Sequence, residues 1–136
     1  MRGGVELSNE IVVEIDRACM ERQRCKIIVD GKEYVIKGKI NDGDIIKLGE
    51  KSVKIVQKEE TVLEFSLSEI SNDFVLGYMI GNYHLKVMIN GDKVYVPMEF
   101  EYLLEKFKAY DPKVKKIKFQ PNVELPVSDS MIKDFK

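Results

Sequence analysis

The chain has 136 residues, a length that suits one compact domain or two small domains that share an interface. Its 22 basic and 23 acidic side chains give a formal charge of −1, so no positive excess indicates binding to nucleic acid or to an anionic membrane. No segment approaches the ~20 apolar residues that span a bilayer, and the N-terminus has no apolar signal region. We therefore expect a cytoplasmic protein with neither nucleic acid nor membrane as a partner.

The two cysteines, Cys19 and Cys25, are too few for a disulfide framework, and their spacing is not the C-x-x-C of a metal site. Cys25 alternates with Ile27 and Val29, as residues on the buried face of a strand do. We predict that Cys25 is a buried structural thiol.

The first half of the chain has the pattern of short strands separated by turns. Apolar residues alternate with polar ones, and Asp30-Gly31 is typical of a tight hairpin turn because glycine accepts a positive φ. Residues 1–58 are therefore predicted to form a small β-barrel or sandwich without a helix.

The second half, residues 61–120, alternates between strand and helix patterns. A strand from Thr61 to Leu67 is followed by Ser68 as a predicted helix N-cap. The apolar positions of this first helix are predicted at Ile70, Phe74, Gly77 and Tyr78. Gly81-Asn82 is expected to end the helix, because both residues tolerate the left-handed conformation.

A strand from Tyr83 to Ile89, the turn Asn90-Gly91 and a strand from Lys93 to Val96 are predicted next. A second helix is expected to begin at Pro97, and a last strand runs from Val114 to Phe119. The apolar residues of this second helix follow helical spacing at Phe100, Leu103, Leu104 and Phe107.

This order of elements predicts an α+β protein, in which the all-β domain precedes a ferredoxin-like βαββαβ domain with two helices on one sheet face. Residues 121–136 are predicted to form a flexible C-terminal tail.

His84 is the only histidine in the chain. On the predicted strand it alternates with Tyr83 and Leu85, which puts it on the helix-free face, open to solvent or to a second subunit. The alternative is a surface histidine without a special role. With no G-x-S-x-G element, no glycine-rich phosphate loop and no acid–base pair, the sequence predicts a protein that is not an enzyme.

The segment Leu76-Gly77-Tyr78-Met79-Ile80-Gly81-Asn82-Tyr83-His84 resembles the motif of the UreE family of urease accessory proteins, in which a helix ends in (I/L)-G-N-R-H. Similarity to the family extends over 24–57, 86–104 and 107–121. The resemblance implies a metallochaperone with two domains. The first, residues 1–58, is a protein-interaction domain, and the second, residues 61–120, is a ferredoxin-like domain that binds Ni²⁺ through His84 and forms a homodimer. Its implied partners are the urease apoprotein and an accessory complex that includes a GTPase.

This sequence departs from the family at several positions. Tyr83 stands where the family usually has arginine, and Met98 and Phe100 stand where some members carry further histidines. The tail after Pro121 contains no histidine, so we expect few bound ions and no nickel storage. These departures leave open a degenerate UreE-like interaction module without functional metal binding.

A single imidazole can nevertheless form a metal site if symmetry doubles it. A residue near a twofold axis appears twice, so two copies of His84 can share one ion across a subunit contact. Imidazole suits Ni²⁺, Zn²⁺ and Cu²⁺ alike, so Zn²⁺ or Cu²⁺ is also expected to bind in vitro.

Overall fold

The structure, a computed structural model, describes residues 11–123 and divides into two compact units between Glu60 and Thr61. Strands predominate over helices, which confirms the predicted α+β class. The strands are β1 Ile11–Ile15, β2 Arg24–Val29, β3 Lys32–Lys37, β4 Ile45–Leu48, β5 Lys51–Gln57, β6 Glu60–Ser66, β7 Met88–Asn90, β8 Lys93–Pro97 and β9 Lys113–Ile117. The α-helices are α1 Arg17–Glu21, α2 Asp73–Asn82 and α3 Tyr102–Lys106. Within residues 11–123, none of these helices has the length and apolar character that a membrane crossing requires.

The first unit combines a three-stranded sheet with a separate hairpin. In the sheet, of order β1-β5-β4, β1 runs parallel to β5 and β4 runs antiparallel to it. The hairpin pairs β2 with β3, and its turn has positive φ at Asp30 (52°) and Gly31 (77°), which confirms the predicted tight turn. Alternate residues of β2 and β5 form the core, with Val53 and Ile55 fully buried.

The prediction of a first unit without a helix is wrong, because α1 lies between β1 and β2. The Asp16 side chain accepts a hydrogen bond from the Cys19 amide at 2.8 Å and so caps the helix. Arg17 connects the helix to Glu60, with Nε to Oε1 at 2.7 Å, and pairs with Glu21 of the same helix at 3.2 Å. Five residues are too few for hydrophobic periodicity to reveal a helix in the sequence.

Cys25 is buried as predicted, but the expectation of a free thiol is wrong. It forms a disulfide with Cys19, six residues earlier in the chain. The single turn of α1 brings the two Cα atoms to 5.2 Å, within the range a disulfide spans. The bond therefore ties α1 to the start of β2.

The second unit is a four-stranded sheet of order β7-β8-β6-β9. Both β6 and β7 run antiparallel to β8, which lies between them, so β6 and β7 are parallel to each other. The connection β6-α2-β7 is therefore a βαβ unit split by an intervening strand.

Both helices of this unit pack against one face of its sheet. Leu63 and Phe65 of β6 are buried there together with Leu76 of α2 and Leu103 of α3. Phe107, just after α3, meets Phe65 edge-on with ring centroids 5.5 Å apart. Burial of these large apolar side chains stabilises the unit by removing apolar surface from water.

The helix starts differ from the predictions. Ser68 does not cap α2, because its amide and hydroxyl both donate to Asp92 at 2.8 Å. The cap is Asn72, whose side chain accepts from the Val75 amide at 3.3 Å. Pro97 does not begin the second helix but ends β8, and α3 starts at Tyr102.

Two predicted strands are shorter than expected, since β7 covers only Met88–Asn90 and β9 ends at Ile117. The first residues of the predicted tail pair with β7, where the Asn122 side chain accepts from the Ile89 amide at 2.8 Å and donates to its carbonyl at 2.9 Å. The remainder of the predicted tail, 124–136, lies outside the described residues.

A buried carboxylate lies on the sheet face of the second unit that is opposite the two helices. The side chain of Glu64 on β6 is only 3% exposed, and the Nζ of Lys115 on β9 lies 3.0 Å from its Oε2. Burial by itself raises the pKa of Glu64, but hydrogen bonds from Lys115 and Tyr95 and the charges of Lys115 and Lys93 outweigh it, so the pKa lies below the ordinary 4.5. Burial and the same carboxylate raise the pKa of Tyr95.

Replacement Glu64→Gln should destabilise the protein by roughly 1–3 kcal/mol at neutral pH, because it removes a charge-assisted pair of hydrogen bonds. A carboxylate with a lowered folded pKa contributes stability above its ordinary value of 4.5, and this is lost as the pH falls through the folded pKa. The free energy of unfolding, measured by urea denaturation, should therefore differ less between wild type and Glu64→Gln as the pH falls through the folded pKa of Glu64. The exposed Glu105→Gln serves as control, and a pH-independent difference for Glu64→Gln would contradict the expectation.

Candidate metal-binding site

The only histidine of the chain lies just beyond the end of α2. The helix has Asn72 as its N-cap and Asp73 in its first turn, where the helix dipole favours an anion, and it ends at Asn82. His84 has φ of 57°, the left-handed conformation that usually belongs to glycine at this position. The helix ends at Asn82 as predicted, but the left-handed residue is His84, since Gly81 and Asn82 are both helical.

Two backbone hydrogen bonds close the helix around His84. Its amide donates to the Gly81 carbonyl at 3.0 Å, and the Leu85 amide donates to the Ile80 carbonyl at 3.3 Å. This pattern is the Schellman motif, which normally includes a hydrophobic contact between the two outer residues. Ile80 and Leu85 are both buried in the core cluster of the second unit. The backbone that carries His84 is therefore anchored on both sides.

The predicted strand around His84 is absent, yet the residue is exposed as expected. A non-glycine residue in the left-handed region is less stable than glycine by about 1 kcal/mol. The backbone conformation at His84 therefore costs stability relative to glycine.

The residues that depart from the family pattern have structural roles. Tyr83 packs inward, with its ring centroid 5.8 Å from that of Phe107, so it belongs to the core. Met98 packs against the same core, and Phe100 stacks on Tyr102 at 5.4 Å. The two downstream positions therefore offer no imidazole, and the position before His84 stabilises the fold.

The described part of one subunit does not assemble a metal site around His84. Between residues 11 and 123, no three His, Cys, Asp or Glu side chains come together in a group that could hold an ion. Cys19 and Cys25 offer no thiolate while they are joined in the disulfide. A complete coordination shell thus requires ligands from outside the described part of one chain.

The solvent side of α2 is unusually apolar. Phe74 is 79% exposed and Tyr78 is 70% exposed. With Gly77 and Gly81 they follow the i, i+3, i+4, i+7 spacing of one helix face, and we call these four residues the aromatic–glycine stripe. A Cβ added at either glycine would meet no atom within 4 Å, so packing inside the subunit does not require them.

The stripe corrects the predicted packing face of this helix. The apolar positions predicted from helical spacing are Ile70, Phe74, Gly77 and Tyr78, whereas the buried residues of the helix are Leu76 and Ile80. Apolar residues occur on both sides of α2, so periodicity alone does not distinguish its inner face from its outer face. In the sequence, the apolar residues Ile80 and Leu85 on either side of the polar His84 are the pattern that indicates this helix end.

His84→Gly should stabilise the protein by about 1 kcal/mol, because glycine adopts the left-handed conformation without a steric penalty. Asn82→Gly is the matched control, since a glycine inside the helix should destabilise it by roughly 0.5–1 kcal/mol. Urea denaturation of the full chain measures both changes. Loss of stability in His84→Gly would show that the imidazole itself supports the fold.

Comparison with known proteins gives a consistent set of relatives. No protein-family model matches the chain. The urease accessory protein UreE of Prochlorococcus marinus subsp. pastoris (strain CCMP1986 / NIES-2087 / MED4) is 30% identical over 90 residues, which cover 63% of this chain and 58% of the relative. The protein of the same name from Prochlorococcus marinus (strain MIT 9312) is 33% identical over 88 residues, with coverage of 62% and 58%. The chain thus spans less than two thirds of these curated relatives, and its predicted resemblance to urease accessory protein UreE is confirmed.

Proposed function

We propose that this protein is a urease accessory metallochaperone that binds Ni²⁺ with His84 at a homodimer interface and delivers it for assembly of the urease active site. The observation that carries the proposal is the position of the single histidine. It is exposed, and two backbone hydrogen bonds fix it at the end of a helix whose outer face is apolar.

The chemistry of one imidazole requires a second subunit. Imidazole nitrogen is a good ligand for Ni²⁺, Zn²⁺ and Cu²⁺, but one such ligand is too weak to retain an ion. If two copies of His84 lie near a twofold axis, they form a pair that shares one ion. The remaining coordination positions stay open to water, so the ligands of a recipient can bind the ion before the two imidazoles release it.

The aromatic–glycine stripe supports dimer formation through the second unit. Two large aromatic side chains that are more than two-thirds exposed, Phe74 and Tyr78, are typical of a surface that is covered in an assembly. Gly77 and Gly81 lower helix stability by roughly 0.5–1 kcal/mol each relative to alanine, and a close approach by a second helix explains their presence. His84 follows this stripe at the C-terminal end of the same helix.

The relatives support the biological setting of the proposal. Their name describes an accessory protein of urease, which agrees with the prediction that the chain is not an enzyme. The split βαβ order of the second unit supports a ferredoxin-like metal-binding domain. We further propose a cytoplasmic location, an interaction role for the first β unit, and transfer of nickel to a urease maturation complex that includes a GTPase.

Nickel titration of the full chain tests the site. Wild type should bind one tight ion per dimer, because symmetry makes one ligand pair. His84→Ala should lose that ion and remain dimeric, and binding should weaken in acid, since the metal needs neutral imidazole. Met98→Leu is the matched control, because it removes the thioether at a position where some family members have histidine, while keeping the side-chain volume.

Two outcomes of this titration would contradict the proposal. Equal nickel binding by wild type and His84→Ala would place the ligands elsewhere in the chain. The absence of tight binding in wild type would favour the degenerate UreE-like interaction module.

A charge introduced into the aromatic–glycine stripe tests the interface. Phe74→Glu should convert the dimer to a monomer, because it places an unpaired charge in an apolar contact. Nickel affinity should then fall at least about tenfold, although His84 is unchanged. Phe100→Glu, at another exposed aromatic of the same unit, is the control. Mass in solution and nickel titration are measured together, and a nickel-binding Phe74→Glu monomer would exclude the shared site.

A further inference from the structure

The hairpin β2–β3 of the first unit concentrates positive charge on its exposed face. Arg24 on β2 lies directly opposite Lys37 on β3. The pairing continues outward, because the Gly38 amide donates to the Gln23 carbonyl at 2.8 Å, so Arg22 and Lys39 flank the same end of the hairpin. All four cationic residues are exposed.

Carboxylates on and beside the hairpin are paired with cations other than these four. Glu21 accepts from Arg17 at 3.2 Å, and Asp30 binds the Nζ of Lys51 at 2.6 Å. Glu33 on β3 lies 3.7 Å from the Nζ of Lys26. In the described part of the chain, Arg22, Arg24, Lys37 and Lys39 have no ion pair with a carboxylate. Carboxylates of residues 11–123 therefore do not neutralise the cationic end of the hairpin.

This arrangement works against the stability of the hairpin. Like charges directly opposite each other on paired strands are destabilising, as at Arg24 and Lys37. The whole chain has a formal charge of −1, so overall composition does not explain the cluster. A local arrangement that lowers stability without a compensating contact is expected at a binding surface.

An apolar area adjoins the cationic end on the same face. Ile28 on β2 is 64% exposed and Val35 on β3 is 51% exposed. The register places Ile28 opposite Glu33 and Val35 opposite Lys26, so the two aliphatic side chains are diagonal neighbours. The ion pair of Lys26 and Glu33 lies on this same face, beside the two aliphatic side chains. We call the other six exposed residues of this surface the basic hairpin face: Arg22, Arg24, Ile28, Val35, Lys37 and Lys39.

The Cys19–Cys25 disulfide constrains the segment that bears Arg22 and Arg24. Both arginines lie within the loop that the disulfide closes, between the end of α1 and the start of β2. A constrained binding segment loses less conformational freedom when a ligand binds, which favours affinity. The cationic end is therefore partly ordered before any partner arrives.

We propose that the basic hairpin face binds an acidic segment of a partner protein, in which carboxylates meet the four cations and adjoining aliphatic side chains cover Ile28 and Val35. Arginine binds carboxylates through two parallel hydrogen bonds, which suits Arg22 and Arg24 to this role. The aliphatic pair favours a peptide over a purely polar polyanion, because burial of apolar surface adds to the affinity. The residues of this face belong to the first unit and His84 belongs to the second.

Fluorescence anisotropy with the full chain tests the proposal. The probe is a labelled synthetic peptide with a glutamate-rich half followed by a valine-rich half. Wild type should bind it, with affinity that falls as salt is added. Arg24→Glu should weaken binding at least about tenfold. The melting temperature of this variant should stay the same or rise, because Arg24→Glu converts a repulsive cross-strand pair into an attractive one.

Matched variants and probes decide the outcome. Lys47→Glu makes the same change of charge at an exposed site on β4 and should bind like wild type. Unchanged binding by Arg24→Glu would overturn the proposal. Equally tight binding of a glutamate–serine peptide or of a single-stranded oligonucleotide would also overturn it, since the surface would then recognise polyanions in general. His84→Ala and added chelator should leave peptide binding unchanged, which separates this result from the fate of the nickel proposal.

Discussion

The left-handed turn at His84 is the constraint on which the second unit depends. It allows the chain to leave α2 and return toward the sheet, while Ile80 and Leu85 close the core on either side of it. The same turn keeps the imidazole at the surface, because the residue between two buried neighbours in this motif faces outward. Fold and candidate site therefore share one short piece of backbone.

Both sides of α2 are apolar, and they serve different purposes. Leu76 and Ile80 complete the core within the subunit, whereas Phe74 and Tyr78 remain exposed. A soluble helix normally has one polar side, so a second apolar side is best explained by a contact outside the subunit. In the proposed homodimer, the same contact would supply the second imidazole.

The two units differ in whether their charged side chains are compensated by an opposite charge. In the second unit, the buried carboxylate of Glu64 is compensated by Lys115 and Tyr95, so its charge contributes to stability. In the first unit, Arg24 and Lys37 face each other across paired strands without a carboxylate between them. A compensated charge is typical of a structural role, whereas an uncompensated cluster is typical of a surface that meets a partner.

Local patterns in the sequence determined the α+β class, the hairpin turn at Asp30-Gly31 and the single histidine, because these depend on residue type and short-range geometry. Only the tertiary structure decided which side of α2 is buried, since an apolar pattern shows what can be buried and not what it packs against. The disulfide was likewise decided by the one-turn helix that brings Cys19 to Cys25. The left-handed His84 required the contact between Ile80 and Leu85, which forms only when the helix lies on its sheet.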